Sequence, residues 1–145
     1  MKIRLLKKSE INSAARIIGR NYSKNYERMA KRDLREMFRK GPERPRYLIA
    51  EEKGNILGFT GYIQSPMDYH LYEIFWVNVI PEKQHKGIGT MLLHKTIQNI
   101  KKIKGKNTKA AAIILTTRIP GFYRRLGFKN LLQFRKTRYL MLSRM

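Results

Sequence analysis

The apolar positions of this chain change their spacing several times, and each change marks a predicted element. Residues 2–6 alternate loosely and predict a short strand. Ser9 predicts a helix N-cap, because its hydroxyl can accept from backbone N–H groups two or three residues on. Ile11, Ala14, Ala15, Ile18 and Tyr22 then recur at helical spacing. A second, more charged helix is predicted from about residue 28 to residue 40, with Leu34, Met37 and Phe38 as its apolar face. Gly41-Pro42 ends it, since proline cannot continue a helix and disfavours helical geometry before it.

Residues 47–51, a turn at Lys53-Gly54-Asn55 and residues 56–64 read as strand, hairpin turn, strand. Ser65-Pro66-Met67-Asp68 is a second turn. A long strand is predicted over 71–80, apolar on both faces at Phe75-Trp76-Val77, as suits a central strand. Pro81 stops it, and a polar loop over 82–86 leads to Gly87-Ile88-Gly89, which opens a helix to about residue 103. A buried-type strand comes next over 110–116, then a short helix over 122–126 stopped by Gly127. Two strands over 131–134 and 137–142 complete the chain. The order β-αα-βββ-α-β-α-ββ predicts an α/β class protein: a mixed sheet of six or seven strands with helices on both faces. Without repeats or linkers, residues 1–145 read as a single domain.

Charge narrows the choice of partner. The chain carries 32 Lys+Arg against 10 Asp+Glu, a net charge of +22. Residues 1–82 hold 16 of the basic residues and all 10 acids, net +6, whereas residues 83–145 hold 16 basic residues and no acid, net +16. Such a field attracts anions: a phosphorylated cofactor, nucleic acid, a membrane surface or an acidic protein. There is no cysteine, which excludes disulfides, zinc-ribbon sites and a thiol nucleophile. His70, His85 and His94 lack metal-ligand spacing, so no metal is expected. No apolar run reaches membrane-spanning length and the first eight residues do not resemble a signal peptide; a soluble cytoplasmic protein without membrane association is expected.

Gln84-x-x-Gly87-x-Gly89, between a long strand and an amphipathic helix, has the chemistry of an anion cradle. Backbone N–H groups converge at a helix N-terminus, the dipole favours negative charge, and glycine lets the anion approach. The loop lacks the Gly-Lys-Ser/Thr ending of a nucleotide P-loop. It also lacks the third glycine and downstream acid of a dinucleotide fingerprint.

The segment Val79-Ile80-Pro81-Glu82-Lys83-Gln84-His85-Lys86-Gly87-Ile88-Gly89-Thr90-Met91-Leu92-Leu93 resembles the acetyl-coenzyme A motif of the GNAT superfamily of N-acetyltransferases. Phe122-Tyr123-Arg124-Arg125-Leu126-Gly127-Phe128 resembles the family's Phe-Tyr-x-x-Leu-Gly-Phe signature, in the expected order. The element order is similar over nearly the whole chain. The resemblance implies a GNAT fold splayed between its fourth and fifth strands. It implies that the amides of residues 85–90 (His85, Lys86, Gly87, Ile88, Gly89 and Thr90) surround the coenzyme's diphosphate, with Gln84 opening the cofactor-binding loop. The backbone of Val77, Asn78 and Val79 would pair with the pantetheine arm like an added strand.

Acetyl transfer to an amine requires loss of an ammonium proton, stabilisation of the thioester oxygen, and a fate for the departing thiolate. Among the ten carboxylates, Glu73 lies on the long strand among Tyr72, Ile74 and Phe75. In histone-acetylating relatives a strand glutamate at this distance from the loop is the base. Glu73 is therefore the leading carboxylate base, acting directly or through water, with solvent as the alternative. By the same resemblance the Val77 amide is the oxyanion donor and Tyr123 the general acid. A neutral phenol can hydrogen-bond to a thiolate, because phenols titrate near pH ~10 and thiols near ~8.5. One departure stands out: the family asparagine after the fifth strand is replaced by Thr116-Thr117-Arg118-Ile119-Pro120, where Thr117 or Arg118 is the candidate substitute.

The expected activity is acetyl transfer from acetyl-CoA to a primary amine by direct attack in a ternary complex. The acceptor could be a protein N-terminus, a lysine or a small-molecule amine, and the net charge favours one carried on something acidic. The alternative is a nucleic-acid-binding or ribosome-associated module on a GNAT-like scaffold, using Lys101 to Lys109 and Arg135 to Arg138.

Overall fold

The computed structural model describes residues 1–145 and has the element order read from the sequence. The strands are β1 (Lys2–Leu5), β2 (Arg46–Glu52), β3 (Asn55–Gln64), β4 (Leu71–Val79), β5 (Ala112–Thr117), β6 (Lys129–Arg135) and β7 (Arg138–Arg144). The helices are α1 (Ile11–Asn21), α2 (Lys24–Arg35), α3 (Ile88–Lys101) and the short α4 (Pro120–Arg124). One mixed sheet of seven strands runs in the order β1-β2-β3-β4-β5-β7-β6, with helices on both faces. The chain divides into two compact units, residues 1–63 with 76–99, and residues 64–75 with 100–145.

In the first unit β1 pairs antiparallel with β2, and β2 with β3 through the Lys53-Gly54 turn. Ala14, Ala15 and Ile18 of α1 are completely buried, as are Ala30 and Leu34 of α2. These positions follow the helical spacing that the sequence set. Two helix starts differ from expectation. Ser9 caps nothing; it lies in a 3-10 turn, Lys8–Glu10, and the Glu10 carboxylate accepts from the Lys7 N–H at 2.8 Å. α2 begins at Lys24, about one turn earlier than predicted, because Ser23 is a true N-cap whose Oγ accepts from the Tyr26 N–H at 3.3 Å.

Leu48, Ala50, Leu57, Val79, Ile88 and Leu92 form one buried cluster. It anchors the first turn of α3 on β2, β3 and the end of β4. Each fully buried aliphatic side chain there contributes about 1.5–3 kcal/mol. The loop in front of α3 is therefore tied to the sheet on both sides.

In the second unit β4 and β5 run parallel, from Leu71↔Ala112 to Glu73↔Ile114. Their ladder stops there, while β5 stays paired with β7 as far as Thr117↔Tyr139. The Tyr72 hydroxyl donates to the Thr108 carbonyl at 2.7 Å, tying the start of β4 to the turn before β5. β6 and β7 form the closing hairpin, and every residue of β6 is exposed.

Candidate functional site

The loop after β4 has the backbone that an anion cradle needs. A 3-10 turn at Pro81–Lys83 leads to Gln84, and both His85 (φ 62°) and Gly87 (φ 86°) are left-handed. Left-handed residues among right-handed ones turn successive N–H groups to one side, forming a concavity for anions. The α3 ladder begins with the Met91 N–H donating to the Gly87 carbonyl at 3.0 Å. The amides of Ile88, Gly89 and Thr90 are therefore among the first N–H groups of the helix, which have no intrahelical acceptor. A Cβ built on Gly87 meets nothing within 4 Å, so the cradle opens onto free space at that position. Backbone direction and open space thus suit a diphosphate. His85 and Lys86 are exposed, and Ile88 is buried beneath the loop.

A polar network holds the loop against β4. Asn21, the last residue of α1, donates from Nδ2 to the Asn78 side-chain oxygen (3.0 Å) and to the Val79 carbonyl (2.9 Å). Gln84 Nε2 donates to the same Val79 carbonyl (3.1 Å) and to Asn21 Oδ1 (3.2 Å). The first position of the Gln-x-x-Gly-x-Gly motif thus has protein partners for its side chain, and its own N–H donates to the Pro81 carbonyl at 3.4 Å: it fixes the loop, leaving the amides after it for a ligand. Glu82 pairs with Arg20, whose guanidinium holds the carboxyl below its ordinary range, but both are exposed and the pair is weak. Asn21 carries no motif signal, and sequence reasoning does not reach it. The only hint is a polar residue closing an amphipathic helix.

β3 approaches β4 closely here. The Ile80 N–H donates to the Leu57 carbonyl at 2.8 Å. Backbone groups alternate sides along a strand, so Asn78 also faces β3, whereas Val77 and Val79 face the other edge. Within the expected pantetheine strand, Val77 and Val79 thus differ from Asn78, whose side chain instead orders Asn21. Immediately before them Trp76 has φ 54° inside the strand, and its indole N–H donates to Asp33 Oδ2 at 2.9 Å. The sequence offered no sign of either feature.

Glu73 and Tyr123 lie in the second unit. Glu73 sits in the parallel register opposite Ile114 and is half-buried rather than enclosed. Tyr123 is buried in α4, with its ring edge-on to Phe122 (5.0 Å) and Phe128 (6.0 Å). The Phe128 N–H donates to the Tyr123 carbonyl at 3.1 Å, and Gly127 takes the left-handed φ of 93° that ends the turn. The Phe-Tyr-x-x-Leu-Gly-Phe segment is thus a compact aromatic cap. Of the two candidates for the missing asparagine, Thr117 is buried and its Oγ1 accepts from the Ile119 N–H at 3.0 Å, so it shapes the turn into α4. Arg118 is exposed. No cluster of three or more metal-ligating side chains occurs, and no helix is long and apolar enough to cross a membrane.

Likeness to known proteins places these features in a family. A model of the acetyltransferase (GNAT) domain matches residues 43–130, which include β2 to β5, the loop and α4. No curated protein sequence matches the chain significantly. Among solved structures, the fold is similar to a GNAT-family protein from Desulfovibrio desulfuricans (18% identity, TM-score 0.83, covering 99% of this chain and 97% of that one). It is also similar to an aminoglycoside 6'-N-acetyltransferase complexed with coenzyme A (15%, TM-score 0.81, 99% and 97%). A third is the PaiA N-acetyltransferase of Thermoplasma acidophilum in complex with coenzyme A (19%, TM-score 0.73, 100% of both chains). The family match spans more than half of the sequence and includes both motifs in full, so this chain belongs to the GNAT acetyltransferase family.

Proposed function

We propose that this protein transfers the acetyl group of acetyl-CoA to a primary amine by direct attack in a ternary complex, residues 1–145 acting as one domain. The observation that carries this reading is the left-handed pair His85 and Gly87, which turns the loop amides together at the start of α3. Support comes from two similar structures that contain coenzyme A, and from an acid-free half of the chain that suits a polyanionic cosubstrate.

Each residue has a distinct part in the reaction. The amides of residues 85–90 hold the diphosphate. The edge of β4 at Val77 and Val79 holds the pantetheine arm, with Asn78 and Gln84 fixing that edge through Asn21. Glu73 accepts the proton of the attacking ammonium, directly or through a water. The Val77 N–H stabilises the thioester oxygen as negative charge develops. Tyr123 donates its phenolic proton to the departing thiolate sulfur. The amine nitrogen forms the new amide bond as the carbon–sulfur bond breaks, and its second proton passes to the Tyr123 phenolate, directly or through solvent, which restores the phenol. With no cysteine in the chain, an acetyl-enzyme on sulfur has no site.

The acceptor class is a primary amine: a protein N-terminus, a lysine or a small molecule. The aminoglycoside 6'-N-acetyltransferase among the similar structures keeps amino sugars among the amines to test. A net charge of +22 repels free polycations and favours an amine carried on an acidic body. The test is a panel of peptides, ribosomal proteins, aminoglycosides and polyamines incubated with acetyl-CoA, read by release of free thiol and by a +42 Da product (one added acetyl, about 42 Da, replacing one proton). Amine-dependent thiol release is expected. No release with any amine, together with no stabilisation by acetyl-CoA, would overturn the reading.

A further inference from the structure

We propose that Asp33 is a positioning residue: from α2 it pins Trp76 in a left-handed conformation and thereby sets the direction of the Val77 amide. The inference rests on the reading of that amide as the oxyanion donor.

Three non-glycine residues of the chain have positive φ, and two of them, Lys53 and His85, lie in turns or loops. Trp76 is the one inside a strand, with φ 54°. A bulky side chain is a true outlier there, because its Cβ crowds the backbone. Such a conformation persists only where the surroundings over-determine it. A glycine would adopt it freely. The sequence instead places its single tryptophan there and supplies an anchor, since the indole N–H donates to Asp33 Oδ2 at 2.9 Å.

Asp33 is hard to explain by the helix it occupies. It lies in the last turn of α2, where the dipole disfavours an acid, and aspartate is a poor helix former. The flanking Arg32 and Arg35 are the residues that the dipole favours at that end. Its ion pair with Arg32 spans 3.5 Å on a side chain that is 71% exposed, which makes it weak. The bond to Trp76, charge-assisted and half-buried, is the contact that accounts for the residue.

The consequence falls on the next peptide group. A left-handed residue within a strand bends it and re-aims the residues after it, as bulges beside active sites do. The N–H re-aimed here belongs to Val77. Downstream, Val79 and Ile80 are fixed by Asn21, Gln84 and Leu57, so the segment is held on both sides of the bend. Releasing the indole would let Trp76 relax towards ordinary strand geometry and rotate the 76–77 peptide.

Trp76 is the only tryptophan, so its fluorescence reads the pin directly and independently of turnover. Asp33→Ala is expected to shift the emission and increase quenching by acrylamide. It should lower kcat about tenfold or more while leaving acetyl-CoA affinity within about twofold. Asp33→Asn keeps an oxygen acceptor for the indole and should retain both emission and kcat. In a Trp76→Gly background, where φ 54° needs no anchor, adding Asp33→Ala should change kcat less than about twofold. Unchanged fluorescence in Asp33→Ala overturns the pin. Independent, multiplicative losses in the double variant overturn the positioning role. An Asp33→Asn variant that raises KM for the amine would instead assign the carboxylate's charge to amine binding. A wild-type chain that acetylates no amine, with Asp33→Ala still shifting the emission, would overturn the acetyl-transfer reading, and the positioning role with it, while leaving the pin itself established. The two failures are therefore distinguishable.

Discussion

Replacing Gly58 by alanine should damage both the fold and the loop, by an amount the structure allows to be worked out. Gly58 lies on β3 where it passes β4. A Cβ there would stand 2.6 Å from the Asn78 carbonyl oxygen, 3.2 Å from Val79 Cγ2 and 3.3 Å from Leu92 Cδ1. The first contact is roughly 0.8 Å inside ordinary van der Waals range and is made to backbone, which cannot rotate away. The strands must therefore separate. Overpacking of this kind costs about 1–3 kcal/mol. Stretching the Ile80 N–H···O=C Leu57 bond of 2.8 Å adds about 1 kcal/mol. A total of about 2–4 kcal/mol corresponds to a fall in Tm of roughly 7–13 °C for a chain of this length. Thermal melts followed by far-UV circular dichroism read the first effect. Titration with acetyl-CoA reads the second, because Asn78 and Val79 hold Asn21 and Gln84, and affinity should fall with stability. A Gly58→Ala protein melting within about 2 °C of wild type would refute the close approach of β3 to β4.

Asn21→Ala removes bonds to Asn78, Val79 and Gln84 and should weaken acetyl-CoA binding about three- to tenfold in calorimetry, with a smaller loss of Tm. Glu73→Gln should lower kcat/KM and alter its pH profile, and Tyr123→Phe should lower kcat about tenfold with KM little changed; unaltered turnover would remove either residue from its role. Arg4 bonds Glu10 bidentately, at 3.0 and 2.6 Å, and Glu51 at 3.1 Å, and its guanidinium holds both carboxyls below their ordinary range. That stabilisation is complete above the unfolded carboxylate range near pH ~4.3 and is lost as pH falls through the depressed folded values. Arg4→Met should therefore lower Tm at about pH 7, and its gap from wild type should narrow as pH falls below about 4.3; melts across that range check this.

The elements were legible because their signals are local. Helical spacing at Ala14, Ala15 and Ile18, proline at 42 and 81, and glycine at 54 and 127 each act on neighbouring backbone. The two departures have physical reasons. Ser23 outcompetes Arg28 as the start of α2 because a hydroxyl N-cap satisfies an orphan N–H group, which the apolar face does not report. Ser9 fails as a cap because the helical turn opens before it, at Lys8–Glu10 with Lys7 in the N-cap position, where the Glu10 carboxylate accepts from the Lys7 N–H. The loop was legible as a motif because Gln84-x-x-Gly87-x-Gly89 stands between a long strand and an amphipathic helix, with Phe122 to Phe128 in the expected order downstream. The residues that order the loop were not. Asn21 reaches Asn78 and Val79 from more than fifty positions away, and Asp33 reaches Trp76 across the β2–β3 hairpin. Such contacts leave no periodicity and no spacing to read. The left-handed Trp76 is likewise a tertiary outcome, set against its own local preference.

The most direct measurement is acetyl-CoA binding by the wild-type chain and by Gly87→Glu. Gly87 has φ 86° and open space where a Cβ would stand, so glutamate adds local backbone strain and a negative charge at the mouth of the cradle without colliding with the core. The wild-type protein should be stabilised saturably by acetyl-CoA, by about 2.7 kcal/mol at a hundred times Kd. Gly87→Glu should fold, lose that response and lose turnover. A variant that folds and binds acetyl-CoA as tightly as wild type, or a wild-type chain that ignores acetyl-CoA while binding RNA with steep salt dependence, would contradict the account.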